Sequence, residues 1–552
     1  MGLVNVSPDC APNLTQWGLS CRSVLSSTSA SPQTLRRSLG LRSLTLAVVT
    51  STIGSGWLFA PLYASRFAGS ASLLAWLVGG LMAFGLALVF AELGSLVPSS
   101  GALAQIPLLS HGRWAGFIGG WCAWIAYLTL PTIEVLAMVQ YLASRLPWLT
   151  ADAGQGQVLS AAGLAIAGLL LLLMAWINLA GISWLARWID GLTSWKLVVP
   201  LLVSLSLMLS AGHWGNLSTP ASASSPQLSG LLSAIGGGGI LFSLLGFRTA
   251  MDLAGEARDP QRNVPLAMGL GLALSLAIYL VLQLAFLVAV PPQDLEHGWG
   301  ALQLSAHGGP LVALATGLGM GWVVVLLLSD AVISPGATAM TYMGVSARVA
   351  WMMGRLNLLP AAMGTLNRQA VPAVALLWSL VIGMVMLLGG PSWQGVVSFL
   401  TATLVIALAV GPVSLLALRQ QRPQAKRAFR LPWAELLCPI CFVAASWAVL
   451  WCGRDALEGA VVLVVGPALL FALLQRHHGR RLDGAEGCWW FAYLGGLLLI
   501  AELTGTNAPL PGGEPGQLLV AAVFALALFP VAVRSRLPRA SDEAQVAMEL
   551  TP

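Results

Sequence analysis

The chain has 552 residues, of which 57% are hydrophobic and only 9% charged, and its mean hydropathy is +0.81. A water-soluble domain carries about 25% charged residues, so this composition cannot cover a water-facing surface and describes a polytopic membrane protein. The net charge of +6 does not point to nucleic acid, because the basic residues are spread through loops between apolar runs and form no patch.

Residues 1–38 are rich in Ser, Thr and Pro, end in Arg36-Arg37 and contain no apolar stretch before a cleavage site. They read as a polar, disordered cytoplasmic tail rather than a signal peptide. Apolar runs long enough to cross about 30 Å of hydrocarbon follow. They fall near 41–63, 71–97, 114–146, 158–180, 188–210, 229–251, 264–290, 310–345, 372–389, 394–418, 434–452, 456–475, 488–503 and 517–533, which predicts fourteen spans. With the N-terminus inside, only Arg66, Arg145 and Arg454 fall on the outer side, against 24 others of the 27 Lys and Arg residues on the inner side. Such a bias predicts an even number of spans and two cytoplasmic termini. Residues 419–433 form a basic cytoplasmic loop, and 534–552 a second cytoplasmic tail.

The first run is interrupted by Thr52-Ile53-Gly54-Ser55-Gly56-Trp57. An unwound backbone is tolerated inside a bilayer only where protein buries it or where it lines a polar cavity. Freed N–H groups at the start of a half-helix, with its positive dipole end, make a seat for a carboxylate. Close packing of another helix on a Gly/Ser groove is the competing explanation. The sixth run carries a second interruption, Gly236-Gly237-Gly238-Gly239, followed by Ile240-Leu241-Phe242-Ser243. Four glycines cost a helix roughly 1 kcal/mol each against alanine. No Lys-Ser/Thr follows, so the run is not a phosphate loop. The two breaks lie five spans apart and hence in segments of opposite orientation. Breaks at matching positions of two inverted halves point to a transport site near the membrane midplane.

Ile53-Gly54-Ser55-Gly56-Trp57-Leu58-Phe59 resembles the first-helix motif of amino acid permeases in the amino acid/polyamine/organocation superfamily. Ala91-Glu92-Leu93-Gly94-Ser95, Phe247-Arg248 through Ala254-Gly255-Glu256, and Asp259-Pro260-Gln261-Arg262-Asn263-Val264-Pro265 fit the same pattern. Thr132-Ile133-Glu134-Val135 to Gln140-Tyr141 and Ser329-Asp330 through Pro335-Gly336 are similar to the branch that contains bacterial aspartate–proton symporters. The resemblance spans about residues 40–530. It implies an all-α inverted five-plus-five helix fold, with repeats near 41–210 and 229–418 inside a 39–418 core and additional helices over 434–533. It also implies secondary transport of an amino acid, its α-carboxylate at Ile53, Gly54, Ser55 and Gly56 and its α-amino group at carbonyls around Gly238 and Gly239. Phe242 is then the aromatic that closes over the substrate.

Ionisable residues inside spans are functional candidates by default. Lys196 stands out, because the chain has 25 arginines and only two lysines, and a buried lysine, unlike arginine, releases a proton. Snorkelling to the nearby inner boundary is its bland explanation. The resemblance implies that a fifth-helix lysine takes the place a sodium ion has in sodium-coupled relatives, which favours proton over sodium here. Glu134, with no basic neighbour in sequence, suits a proton carrier or a structural hydrogen-bonding group. Asp330, beside Ser329 and Ser334, is open between the same two roles. Glu92, near an inner span end, reads as one half of a structural or gating ion pair. Arg248 is a candidate for an acidic substrate side chain or for an inner gate, and its two-turn distance from the second break favours the gate.

All six histidines read as loop or boundary residues, and Cys438-Pro439-Ile440-Cys441 has no second pair. Haem, metal and cofactor chemistry are therefore not expected, and no nucleophile–base pair suggests an enzyme. The expectation is a proton-coupled amino acid symporter of the cytoplasmic membrane, monomeric or homodimeric. An exchanger on the same fold, and a transport-inactive amino acid sensor, are the alternatives.

Overall fold

The computed structural model describes residues 39–97, 99, 101–152, 157–180, 182–219, 227–304, 309–389, 392–477, 484–504 and 513–538. The predicted N-terminal tail and residues 539–552 of the C-terminal one lie outside these. The regular structure of the described residues is helical apart from a short antiparallel ribbon, Thr150–Asp152 with Gln157–Leu159, and one isolated parallel bridge between Leu39 and Ala257.

The helices run in order as α1 (Leu41–Thr52), α2 (Gly56–Ala68), α3 (Ser72–Leu96), α4 (Ala102–Leu142), α5 (Ala161–Leu179) and α6 (Ile182–Ala211). Next come α7 (Gln227–Gly236), α8 (Ile240–Leu244), α9 (Thr249–Asp252), α10 (Pro260–Ala289), α11 (Pro310–Gly317) and α12 (Gly321–Arg355). The remainder are α13 (Ala373–Leu388), α14 (Trp393–Gln421), α15 (Ala434–Trp451), α16 (Arg454–His477), α17 (Gly484–Gly487), α18 (Trp489–Thr504) and α19 (Gly513–Arg534). Helix occupies every one of the fourteen predicted segments. Among the described residues eleven helices are long and apolar enough to cross a membrane, or up to twelve with one bent pair counted as a single span. Gly56–Leu96 passes as one stretch although it runs through two predicted spans, and α13 falls short at 16 residues.

Burial separates centre from periphery. The most apolar stretch of α4 is wholly buried, whereas most of that of α19 faces outward. α4 packs on α12 and α14, and these three form the middle of the bundle. Leu81, Leu209 and Leu388, on α3, α6 and α13, are at least 75% exposed, as expected of side chains that meet lipid. Small residues permit the closest helix approaches. A Cβ on Gly271 of α10, for example, would lie 2.4 Å from Val48 Cγ1 of α1.

Helix α4 begins a full three turns before the predicted third span. Its first part ends at Gly112, whose φ of 84° and ψ of −171° kink the helix. His111, expected at a boundary, is fully buried at that kink; its Nε2 lies 2.9 Å from the Ala532 carbonyl. The Leu537 N–H donates to Ser110 O at 3.0 Å, so residues through 537 of the predicted C-terminal tail are folded against α4.

Candidate functional site

Both predicted breaks are present. α1 stops at Thr52 and α2 starts at Gly56, and a 50° bend separates Leu228–Gly236 from Ile240–Asp252. Gly239 adopts a φ of 84°, a left-handed conformation that glycine reaches without strain.

A break in a low-dielectric bundle leaves backbone groups that must find partners, and those of the first break are found on four other helices. At the end of α1, Lys196 Nζ of α6 donates to Thr50 O (2.8 Å), Ile53 O (2.8 Å) and Thr338 Oγ1 of α12 (2.7 Å). The Tyr279 hydroxyl of α10 donates to Thr52 O at 2.9 Å. A cation here suits the negative end of the α1 dipole. The ammonium thus places its three donors on three oxygens and is fully buried, which is no snorkelling geometry.

At the start of α2, the Ser55 N–H donates to Glu134 Oε2 of α4 at 2.6 Å. The other carboxylate oxygen of Glu134 is buried without a hydrogen-bond partner. Gly54 is required for this approach, since a Cβ there would lie 2.5 Å from Glu134 Oε1. Ser55 Oγ in turn accepts from Trp393 Nε1 at 3.0 Å. The Trp393 ring, the first residue of α14, stacks on Phe59 at 4.8 Å and Tyr63 at 5.6 Å and meets Phe242 edge-on at 6.0 Å. This aromatic stack lies on the α2 side of the break.

On the α1 side of the stack lies a small cavity whose walls include Ser51, Gly54, Glu134, Phe242, Arg248 and Tyr342. Phe242, Leu245 and Arg248 all reach it because Leu245–Arg248 is a 3-10 turn, in which side chains three residues apart eclipse. Gly246, inside that turn, lies so close to α1 that a Cβ would sit 2.7 Å from the Thr52 nitrogen.

Four predicted residues thus share one cavity: Gly54, Glu134, Phe242 and Arg248. Ile53, Ser55 and Gly56 form the break behind it, and Gly56 is packed against Ser243 Oγ. Gly238 and Gly239 are not in its wall. Gly239 faces the Trp393 ring, and its carbonyl accepts from Ser243 N and Oγ. Asp330 lies apart, holding α2 and α6 to α12 by accepting from Trp57 Nε1 (2.9 Å), Trp195 Nε1 (2.7 Å) and Ser334 Oγ (2.7 Å). Sequence reasoning did not find Trp393, Tyr279 or Thr338. Only the position of Trp393, just after a Ser392 helix cap, carried a signal.

Glu92 is remote from the cavity. Fully buried, it accepts from Arg419 Nε (3.0 Å) and Nη2 (2.6 Å) and from the Leu431 N–H (2.7 Å), with Arg427 Nε at 3.1 Å. It anchors the basic 419–433 loop to α3. Burial pulls the Arg427 guanidinium below its ordinary pKa and Glu92 opposes that pull, but an arginine remains charged in either case. Glu92→Gln is expected to destabilise the protein by about 3 kcal/mol, because Arg427 loses its counter-charge and Arg419 keeps only the exposed Glu435 at 3.9 Å. Its melting temperature in detergent should fall, while transport per folded molecule stays within about twofold of wild type. An unchanged melting temperature contradicts this.

Residues 39–472 match the family model described as amino acid permease. The chain is 30% identical to the glutamate/serine transporter AimA of Bacillus subtilis (strain 168), over 85% of this chain and 88% of the relative. It is 28% identical to the aspartate–proton symporter of the same organism, over 92% of this chain and 98% of the relative. A human protein, Asc-type amino acid transporter 1, is 25% identical over 79% and 82% respectively. Its relatives are transporters and not enzymes, its helices are those of a multi-pass membrane protein, and the chain belongs to the amino acid permease family.

Proposed function

We propose that this permease is a proton-coupled amino acid symporter of the cytoplasmic membrane, with fourteen spans, an inverted repeat over 41–210 and 229–418 and both termini in the cytoplasm. The observation that carries proton coupling is the position of Lys196. Two carbonyls and a hydroxyl at the end of a broken helix are the ligands a monovalent cation would take, and an ammonium already fills the seat. A lysine there exchanges a proton where another transporter would exchange a metal ion. The similarity to an aspartate–proton symporter agrees with this.

Glu134 supplies the link to substrate. Its carboxylate occupies the Ser55 N–H, the donor that suits the α-carboxylate of an amino acid. The two carboxylates compete for one positive helix end, and like charges there repel, so protonation of Glu134 favours the substrate. The Trp393–Phe59–Tyr63 stack is the outer closure in this scheme, and the cavity beneath it is a contracted inward-side form of the site.

The test is uptake of radiolabelled amino acids into proteoliposomes. An inward proton gradient is expected to drive accumulation into vesicles that contain no amino acid, with no change when sodium is replaced by choline. A strict sodium requirement contradicts the reading of Lys196. Uptake that occurs only into vesicles preloaded with an amino acid would make the protein an exchanger.

A further inference from the structure

Arg248 has no part in the proton scheme, yet it lines the same cavity as Gly54, Glu134 and Phe242. It is 1% exposed. Its Nε donates to Leu245 O at 3.0 Å, and its guanidinium carbon sits 4.8 Å from the centre of the Tyr127 ring. Its Nη1 is buried without a hydrogen-bond partner. Asp252, one turn further on, accepts from the Tyr127 hydroxyl at 2.8 Å through Oδ2. Its Oδ1 has no partner either, so the carboxylate does not form a two-point pair with the arginine. A backbone carbonyl and a ring face therefore orient the guanidinium without using up its fork of donors, the geometry that recognises carboxylates in a two-point pair. A buried donor left without an acceptor is costly, and a ligand that supplies the acceptor removes that cost.

We propose that Arg248 receives the side-chain carboxylate of a dicarboxylic amino acid whose α-carboxylate lies at the Ile53–Ser55 break, which makes acidic amino acids the preferred substrates. This assignment rests on the cavity being the substrate site. The cavity wall also includes Leu130, Leu245, Leu400 and Leu404, apolar surface that suits the methylenes of a short acidic side chain. Without Arg248, an acidic ligand would bring a second carboxylate into the bundle with no partner. A neutral amino acid brings no such charge and does not need the arginine.

The experiment is equilibrium binding of L-aspartate, L-glutamate and L-serine to the purified full chain, as wild type, Arg248→Gln and Arg248→Lys. Wild type is expected to bind at least one acidic ligand more tightly than serine. Arg248→Gln should weaken that ligand about 100-fold, consistent with loss of a charge-assisted pair, and change serine by less than about threefold. Arg248→Lys, which keeps the charge but not the fork, should fall between. Retained serine binding reports that each variant is folded. Equal losses for serine and the acidic ligands overturn the assignment. So do unchanged dissociation constants with slowed transport of all three, the behaviour of a gate. A wild type that binds serine but neither acidic ligand overturns the Arg248 assignment alone; one that binds no amino acid overturns the reading of the cavity as well.

Discussion

Lys196→Arg is expected to reduce proton-driven uptake to less than about a tenth of wild type although it keeps the positive charge. The lysine ammonium puts three donors on Thr50 O, Ile53 O and Thr338 Oγ1 from a single point. A planar guanidinium cannot direct its fork at three oxygens around one centre, and it does not release its proton at physiological pH. Lys196→Ala acts differently, because it strips the cation from two carbonyls at the end of α1. The Thr338 hydroxyl still donates to Thr50 O at 3.0 Å, but a buried acceptor left without a partner costs about 1–3 kcal/mol, so the alanine variant should melt lower as well as lose transport. Accumulation under a proton gradient by Lys196→Arg at a level near wild type contradicts the coupling role.

Glu134→Gln carries the second large effect. Glutamine still offers an oxygen to the Ser55 N–H, so the break stays capped, but it no longer takes up a proton. Proton-driven accumulation should fall by at least about tenfold, while exchange between equal amino acid concentrations inside and outside stays within about threefold. Its exchange should also lose the pH dependence shown by wild type. The sign follows from competition: a charged Glu134 holds the Ser55 N–H and excludes the substrate carboxylate, so acidic pH helps the wild type and leaves the glutamine variant unaffected. Equal loss of exchange and accumulation would assign Glu134 a structural role.

The parts legible in the sequence are those whose signal lies in a single segment. Gly54 and Gly56 in one apolar run and four consecutive glycines in another mark breaks, because helix propensity is local. Lys196 is visible because arginine is used almost everywhere else. The partners of these residues come from distant parts of the chain and leave no periodic trace. Glu134 reaches Ser55 across 79 residues, Trp393 across 338, and Thr338 reaches Lys196 across 142. Asp330 is open in the sequence between proton carriage and a structural role, because the two indoles and the hydroxyl that engage its oxygens lie on other segments or one helical turn away. Arg248 lies about two turns from the second break along the chain, the separation that favours a gate in the sequence. The 3-10 turn at Leu245–Arg248 changes the rotation per residue and brings it onto the face of Phe242. The start of α4 was missed for a related reason: Gly112 interrupts one helix rather than separating a loop from a span.

The central claim, that substrate and proton cross together, is tested most directly in proteoliposomes loaded with a pH-sensitive dye and free of sodium, potassium gradients and internal amino acid. Addition of an acidic amino acid outside, with no pH gradient imposed, should acidify the lumen in wild type and should not do so in Lys196→Arg. Uptake of radiolabelled substrate at the normal rate with no acidification of the wild-type vesicles, beyond that of empty liposomes, would contradict the account.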